Sequence, residues 1–169
     1  KATADFITMA NSPTVQLTNA PVFPVGGIVD PPTGGSASGC AAADYAGVSG
    51  KVALVQRGTC AFITKWSLAQ AAGATGVIIY NEGNTPARQN PIFVDNQPTP
   101  KATIAAVISS YTLGNELLRS VDGETDSAEL IAGVTAATRL HLREPTALPR
   151  AGADHFDSRP ERLSTTRRS

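Results

Sequence analysis

The sequence has few of the residues on which most catalytic sites depend. Its only two histidines among 169 residues are His141 and His155, both in the last part of the chain. A co-catalytic zinc site needs several converging histidine and carboxylate ligands, and a serine protease triad needs a histidine beside its nucleophile. No G-x-S-x-G motif occurs either. We therefore expect no catalytic residue, no metal and no cofactor in this chain.

Carboxylates do not supply an alternative catalytic pair. Asp44, Asp95 and Asp126 could be considered for one, but nothing in the sequence brings two of them together. Their expected roles are in a turn, in a cap and on the solvated surface.

Charge of one sign and long apolar runs are also lacking. The chain has 14 basic and 14 acidic residues, without the basic stripe and interleaved aromatics that nucleic-acid binding needs. No apolar run approaches the ~20 residues that span a bilayer. We therefore expect neither a nucleic-acid partner nor a membrane partner.

Cysteine is scarce, because Cys40 and Cys60 are the only two. They could form a disulfide, remain as two reduced and buried thiols or, with no C-x-x-C pair present, less readily bind zinc. We favour a disulfide, which would stabilise the fold by about 3 kcal/mol and would indicate an extracellular compartment. Since the chain begins at Lys1 rather than Met, we expect a mature form whose signal peptide has been removed.

The strongest positive signal is a βαβ unit between Gly50 and Asn81. Val52–Gln56 and Val77–Tyr80 are short β-branched runs typical of parallel strands that are covered on both faces. Good helix formers fill Ala61–Ala72, and Gly73 can end that helix with a positive φ. The predicted apolar face of the helix comprises Phe62, Ile63, Trp66 and Ala69, whereas Lys65 and Gln70 are expected to reach water.

Shorter elements are predicted on either side of this unit. Before it, alternation predicts strands at Thr14–Thr18 and Ile28–Val29. After it, Asn81–Lys101 is expected to be a long surface loop with a short hairpin or anchor at Ile92–Val94. The remaining predictions are a buried strand at Ile104–Ile108, a helix capped by Ser109 or Ser110 with Leu113, Leu117 and Val121 on its apolar face, and a last strand at Ala128–Ala132.

The run V-A-L-V-Q-R-G-T-C-A-F at positions 52–62, followed by A-x-x-A-G-A-x-G-V-I-I-Y-N at 69–81, resembles the protease-associated (PA) domain. The resemblance extends over roughly Val15 to Val134. It implies a mixed α/β (α+β) fold, a small β-sandwich or barrel of short strands with a βαβ core and two helices. We assign residues 1–137 to this domain and expect residues 138–169, which are rich in arginine and proline, to be a disordered tail.

The turn Arg57–Cys60 is the candidate site. It lies between the carboxyl end of a strand and the start of a helix, where α/β folds commonly bind ligands. Arg57 and the first N–H groups of the helix could receive a carboxylate or a peptide carbonyl. In sorting receptors of the family the R-G-x-C-x-F loop faces cargo, and Arg57, Gly58, Cys60 and Phe62 match that motif.

The same residues also allow a purely structural interpretation. Arg57 could order the loop by bonding backbone carbonyls, Gly58 could serve only the turn, and Phe62 is expected in the core. Thr59, Tyr80 and Asn81 are further candidates for partner contact on the same rim.

Members of the PA family are non-catalytic modules of secreted or lumenal peptidases and of sorting receptors. The resemblance therefore implies a secreted interaction module that regulates substrate access or recognition for a peptidase. Its expected partners are peptide segments or a companion peptidase. Two hypotheses stay open beside it: a fragment of a secreted zinc aminopeptidase or subtilisin-like protease without its catalytic domain, and a structural spacer.

Overall fold

Five short strands form one sheet in the computed structural model, which describes residues 5–15, 17, 20–29, 35–95 and 98–121. Along the sheet the order is β1-β5-β4-β3-β2, with β1 antiparallel to β5 and every other pair parallel. The strands are β1 (Phe6–Thr8), β2 (Val22–Pro24), β3 (Val52–Gln56), β4 (Gly76–Tyr80) and β5 (Ala105–Ser109). The three strands predicted from apolar runs are thus the centre of the sheet.

Two helices cover the two faces of this sheet. All residues of β3, β4 and β5 are buried, as predicted for strands covered on both sides. One face, with Val55 and Ile79, packs against Trp66 of α1 (Phe62–Ala71). The other, with Leu54 and Ile78, packs against Leu117 of α2 (Tyr111–Val121). The mixed α/β class, the βαβ core and the two helices are confirmed.

Helix α1 ends at the predicted position, but it buries one side chain that was predicted to be exposed. Gly73 follows the helix with φ of +80°, a conformation that only glycine adopts cheaply. Trp66 and Ala69 are fully buried, while Phe62 and Ile63 are half-buried. The prediction that Lys65 reaches water is wrong, because its side chain is fully buried beneath the loop that precedes β3.

The predicted strands before the βαβ unit are also wrong. Thr14, Val15 and Leu17 are irregular, and so are Ile28 and Val29, while positions 16 and 18 lie outside the described residues. The outer edge of β3 is occupied by β2, and Leu17 packs its side chain against the core on the α2 face. Val29 instead exchanges two hydrogen bonds with the side-chain amide of Gln56, at 3.0 and 2.9 Å.

The long loop between β4 and β5 contains a 3-10 helix at Pro86–Arg88 and is fixed near its far end. The carbonyl of Val94 accepts a hydrogen bond from the Ala10 N–H at 3.0 Å, and the Val94 side chain is buried. The expected anchor is therefore confirmed, with Phe93 beside it 66% exposed.

Helix α2 begins at a serine cap, as predicted. The Ser110 hydroxyl accepts a hydrogen bond from the Leu113 N–H at 3.2 Å. Leu113 and Leu117 are buried, but Val121 is exposed and Ser120 takes the buried position in the last turn. The predicted last strand, both histidines and the tail at 138–169 lie outside the described residues. No helix in the described ranges is long and apolar enough to cross a bilayer.

Candidate functional site

The candidate site lies at the carboxyl edge of the parallel strands. Gln56, Tyr80 and Ser109 are aligned at the ends of β3, β4 and β5. The Arg57 N–H donates to the Tyr80 carbonyl at 2.7 Å, and the Asn81 N–H donates to the Ser109 carbonyl at 3.1 Å. The hydrogen-bond ladder thus continues one residue beyond the strands and brings Arg57 beside Asn81.

Arg57 is held by two neighbours. Its Nη1 donates to Asn81 Oδ1 at 2.9 Å, and its guanidinium carbon lies 5.3 Å from the centroid of the Phe62 ring. The residue is half-buried. Burial lowers the pKa of Arg57, nearby Arg88 lowers it further and Glu82 raises it. Because an arginine pKa starts far above neutrality, the side chain remains a cation of fixed orientation.

Position 58 requires glycine because another backbone segment approaches it closely. Gly58 forms a parallel bridge with Ser36, and a methyl group on Gly58 would overlap the Ser36 carbonyl. Its φ is not positive, so glycine is required here by space rather than by the turn conformation. Next to it, Thr59 is exposed and its N–H donates to the Ser36 carbonyl at 2.9 Å.

Tyr80 and Asn81 lie on the predicted rim, but beneath its surface. They are 1% and 0% exposed, so their side chains are not available for direct contact with a partner in this conformation. The Tyr80 ring lies against Gly114 of α2, where a methyl group would overlap it. Asn81 accepts from Arg57 and donates through Nδ2 to the Asn90 carbonyl. Both residues support the rim from below.

Three residues that sequence reasoning missed complete the rim. The carboxylate of Glu82, which is 1% exposed, pairs with Arg88 and accepts from the Ser36 N–H at 3.4 Å. The ion pair lies within the β4–β5 loop, and the hydrogen bond from Ser36 connects that loop to the segment before β3. A charged residue two positions after a buried strand was a signal for Glu82, but no periodicity indicates a partner in an irregular loop.

A disulfide fixes the loop before β3 to the start of α1. Cys40 and Cys60 are bonded, with their Cα atoms 5.7 Å apart, which confirms the favoured pairing. Under the loop, Lys65 Nζ donates to the Ser38 carbonyl and lies 3.6 Å from Cys40 Sγ. The Tyr45 hydroxyl lies 3.1 Å from the Gly39 carbonyl and 2.9 Å from that of Lys65.

Burial shifts the pKa values of Lys65 and Tyr45. It lowers the pKa of Lys65 to about 8, while the negative charges of Glu82 and Asp44 act in the opposite direction. Burial also raises the pKa of Tyr45, with Asp44 adding to the effect. Asp44 itself accepts from the Ala41 N–H at 2.9 Å and so caps the short 3-10 helix Ala42–Tyr45.

The chemistry available at this site is that of binding. A fixed cation and the start of a ten-residue helix favour an anionic group or a carbonyl oxygen, whereas the Thr59 hydroxyl already donates to the Ser36 carbonyl at 3.3 Å. Within the ranges that the structure describes, no three His, Cys, Asp or Glu side chains are grouped as metal ligands would be.

Comparison with curated proteins finds similarity to peptidases. An aminopeptidase of Pseudomonas aeruginosa is 44% identical over 80 residues, which is 47% of this chain and 15% of that protein. A PIII-type proteinase of Lactococcus lactis subsp. cremoris is 39% identical over 103 residues, which is 60% of this chain and 4% of that protein. The chain thus spans a small part of the relatives it matches.

Comparison with solved structures also finds similarity to peptidases. An aminopeptidase from Aneurinibacillus sp. strain AM-1 superposes with a TM-score of 0.50 and 27% identity over 72% of this chain and 26% of that one. The zinc aminopeptidase BSAP of Bacillus subtilis superposes with a TM-score of 0.51 and 27% identity over 68% of this chain and 25% of that one. A family model described as the PA domain matches residues 18–117, more than half of this chain, which therefore belongs to the PA domain family.

Proposed function

We propose that this PA domain is a non-catalytic interaction module of a peptidase, and that it binds extended peptide segments through the rim formed by Arg57, Gly58 and Thr59. Arg57 supplies the charge, Thr59 an exposed side chain, and Tyr80 and Asn81 hold this surface from below. The module would act outside the cell by recognising substrate or regulating its access to the catalytic domain.

The observation that carries this proposal is the way in which Arg57 is held. Its guanidinium has five N–H donors in a planar fork, and the described contacts include one hydrogen bond from it, to Asn81. The ring of Phe62 and the Asn81 amide fix its direction before any ligand arrives. A pre-oriented fork binds a carboxylate or peptide carbonyls at a smaller entropic cost than a mobile side chain.

The matched proteins support a peptidase as the context. The similar proteins are named aminopeptidases and proteinases, and the chain spans 15% of the P. aeruginosa aminopeptidase. A module of this size leaves the remainder of such a protein to carry the catalytic residues. For this reason a segment of a longer aminopeptidase or subtilisin-like protease is the second candidate, and it is compatible with the binding role.

The test is a binding measurement with a labelled peptide library and the full chain in its oxidised form. Arg57→Ala should weaken binding by about tenfold or more, because a charge-assisted hydrogen bond contributes roughly 1.5 to 3 kcal/mol. Arg57→Lys should recover only part of the affinity, since an ammonium keeps the charge but not the fork.

Arg119→Ala is the matched control, because Arg119 is an exposed arginine in the last turn of α2, far from the carboxyl edge. It should leave binding unchanged. A large loss in Tm for Arg57→Ala with unchanged affinity would show that Arg57 is structural. The absence of peptide binding by the unmodified chain would favour a spacer.

A further inference from the structure

The two sulfur atoms of the disulfide have different surroundings. Cys40 Sγ lies 3.6 Å from Lys65 Nζ and 3.6 Å from the Thr59 hydroxyl oxygen. The Ser38 carbonyl, 3.9 Å from Cys40 Sγ, is already engaged by Lys65. Cys60 Sγ faces the Gly39 carbonyl oxygen at 3.9 Å. The Thr59 hydroxyl donates its proton to the Ser36 carbonyl at 3.3 Å, so the difference between the two sulfurs is a cation beside Cys40 and a carbonyl oxygen beside Cys60.

This asymmetry determines which sulfur can better carry a negative charge. A thiolate on Cys40 would be stabilised by the ammonium of Lys65, which is fully buried and therefore poorly screened by water. With a pKa of about 8, Lys65 is mostly protonated at neutral pH. The start of α1 would favour a thiolate on Cys60, but with only about half an elementary charge. We expect the full charge of Lys65 to prevail.

We propose that the Cys40–Cys60 disulfide is a site of exchange with low-molecular-weight thiols, in which Cys60 Sγ is attacked and Cys40 leaves. The incoming thiolate sulfur forms a bond to Cys60 Sγ as the bond between the two cysteines breaks. The electron pair of that bond leaves on Cys40 Sγ as a thiolate beside Lys65. One thiolate is consumed and one is produced, so the step needs no separate oxidant or proton.

Exchange at this position would change the loop next to the rim. Both cysteines are half-buried, so the sulfurs are not sealed in the core. Opening the disulfide would remove the covalent link between residues 35–40 and the start of α1. The two segments would then be joined only by hydrogen bonds such as that from the Thr59 N–H to the Ser36 carbonyl. The inference does not depend on the proposed function, because the reaction concerns only the disulfide and Lys65.

The first test locates the adduct in the unmodified full chain. The protein is treated briefly with glutathione near neutral pH, quenched with acid and alkylated, and its peptides are analysed by mass spectrometry. We expect glutathione on Cys60 and the alkyl group on Cys40. An adduct predominantly on Cys40, an equal division between the two or no adduct at all would overturn the proposal.

The second test removes the charge of Lys65. Lys65→Met should slow exchange by about tenfold, because a leaving thiol of higher pKa leaves more slowly. Lys51→Met is the matched control, since Lys51 lies over the Phe23 ring at the opposite end of β3 and should not change the rate. An unchanged rate in a folded Lys65→Met variant would also overturn the proposal. If that variant does not fold, the adduct position in the unmodified chain decides.

Discussion

Lys65 carries an ammonium group into the interior of a small domain. It is fully buried, and its Nζ donates to the Ser38 carbonyl. Burying a cation is costly unless it has partners, and here the partners are backbone and sulfur atoms of the loop before β3. The lysine therefore joins this loop to α1 through its hydrogen bond, in addition to the disulfide, while burial of its charge is unfavourable.

The lowered pKa of Lys65 predicts a specific dependence of stability on pH. In the folded chain its pKa is about 8, whereas an unfolded lysine titrates near 10.4, so between these values the unfolded state binds more protons. Stability should therefore rise with pH in this window, by roughly 1 to 2 kcal/mol between pH 7 and about 9.5.

The measurement is urea unfolding of the unmodified chain and Lys65→Met at several pH values. The difference in unfolding free energy between the two proteins should change with pH as described, because other titrating groups, including Tyr45, are common to both. If the difference in unfolding free energy between the two proteins is the same at every pH, the pKa of Lys65 is not lowered.

At the scale of elements, the β3–α1 turn is defined by what lies against it. Gly58 pairs with Ser36, and Thr59 donates to the same Ser36 carbonyl. The disulfide then closes the arrangement from the side of the helix. The turn that presents Arg57 is thus supported by a segment more than twenty positions earlier in the chain.

Two glycine substitutions distinguish space from backbone conformation in this region. Gly58→Ala should destabilise the fold by roughly 2 to 3 kcal/mol, because the new methyl group overlaps the Ser36 backbone, which cannot yield easily. Gly50→Ala should cost only about 1 kcal/mol, since its φ is +75° but no atom lies within 4 Å of the added carbon.

Chemical unfolding followed by far-UV circular dichroism checks both values. Equal costs, or a greater cost at Gly50, would show that the approach of Ser36 to Gly58 is not close in solution.

At the scale of the whole molecule, one sheet contributes residues to two hydrophobic clusters, one on each of its faces. Alternate residues of β3 and β4 point to opposite faces, so α1 and α2 depend on the same strands. Loss of packing on either face should therefore destabilise the entire domain.

Leu117→Ala tests this dependence. Leu117 is fully buried on the α2 face, and its truncation should cost about 2 to 5 kcal/mol. Trp66, the only tryptophan, reports on the α1 face. If the domain unfolds as one unit, tryptophan fluorescence and circular dichroism should shift to the same lower midpoint.

The control is Val121→Ala in the same helix, where the side chain is 36% exposed and the cost should be below about 1 kcal/mol. A fluorescence midpoint unaffected by Leu117→Ala would contradict a single cooperative unit.

The sequence alone determined the central strands, both helices, the Gly73 stop and a serine cap at Ser109 or Ser110, of which the structure shows Ser110. Each depends on interactions within a few residues: apolar runs, helical periodicity, a positive φ and a nearby hydroxyl. For the same reason the position of Arg57 at the end of a parallel strand was predictable.

Only the tertiary structure decided which residues pair across long stretches of chain. The burial of Lys65 and the hydrogen bond from the Ser36 N–H to the Glu82 carboxylate arise where the loop before β3 folds over the βαβ unit. The approach of Ser36 to Gly58 and the choice of β1 and β2 as edge strands have the same origin. Local patterns cannot encode these contacts, because the free energy comes from burial against segments that are distant in sequence.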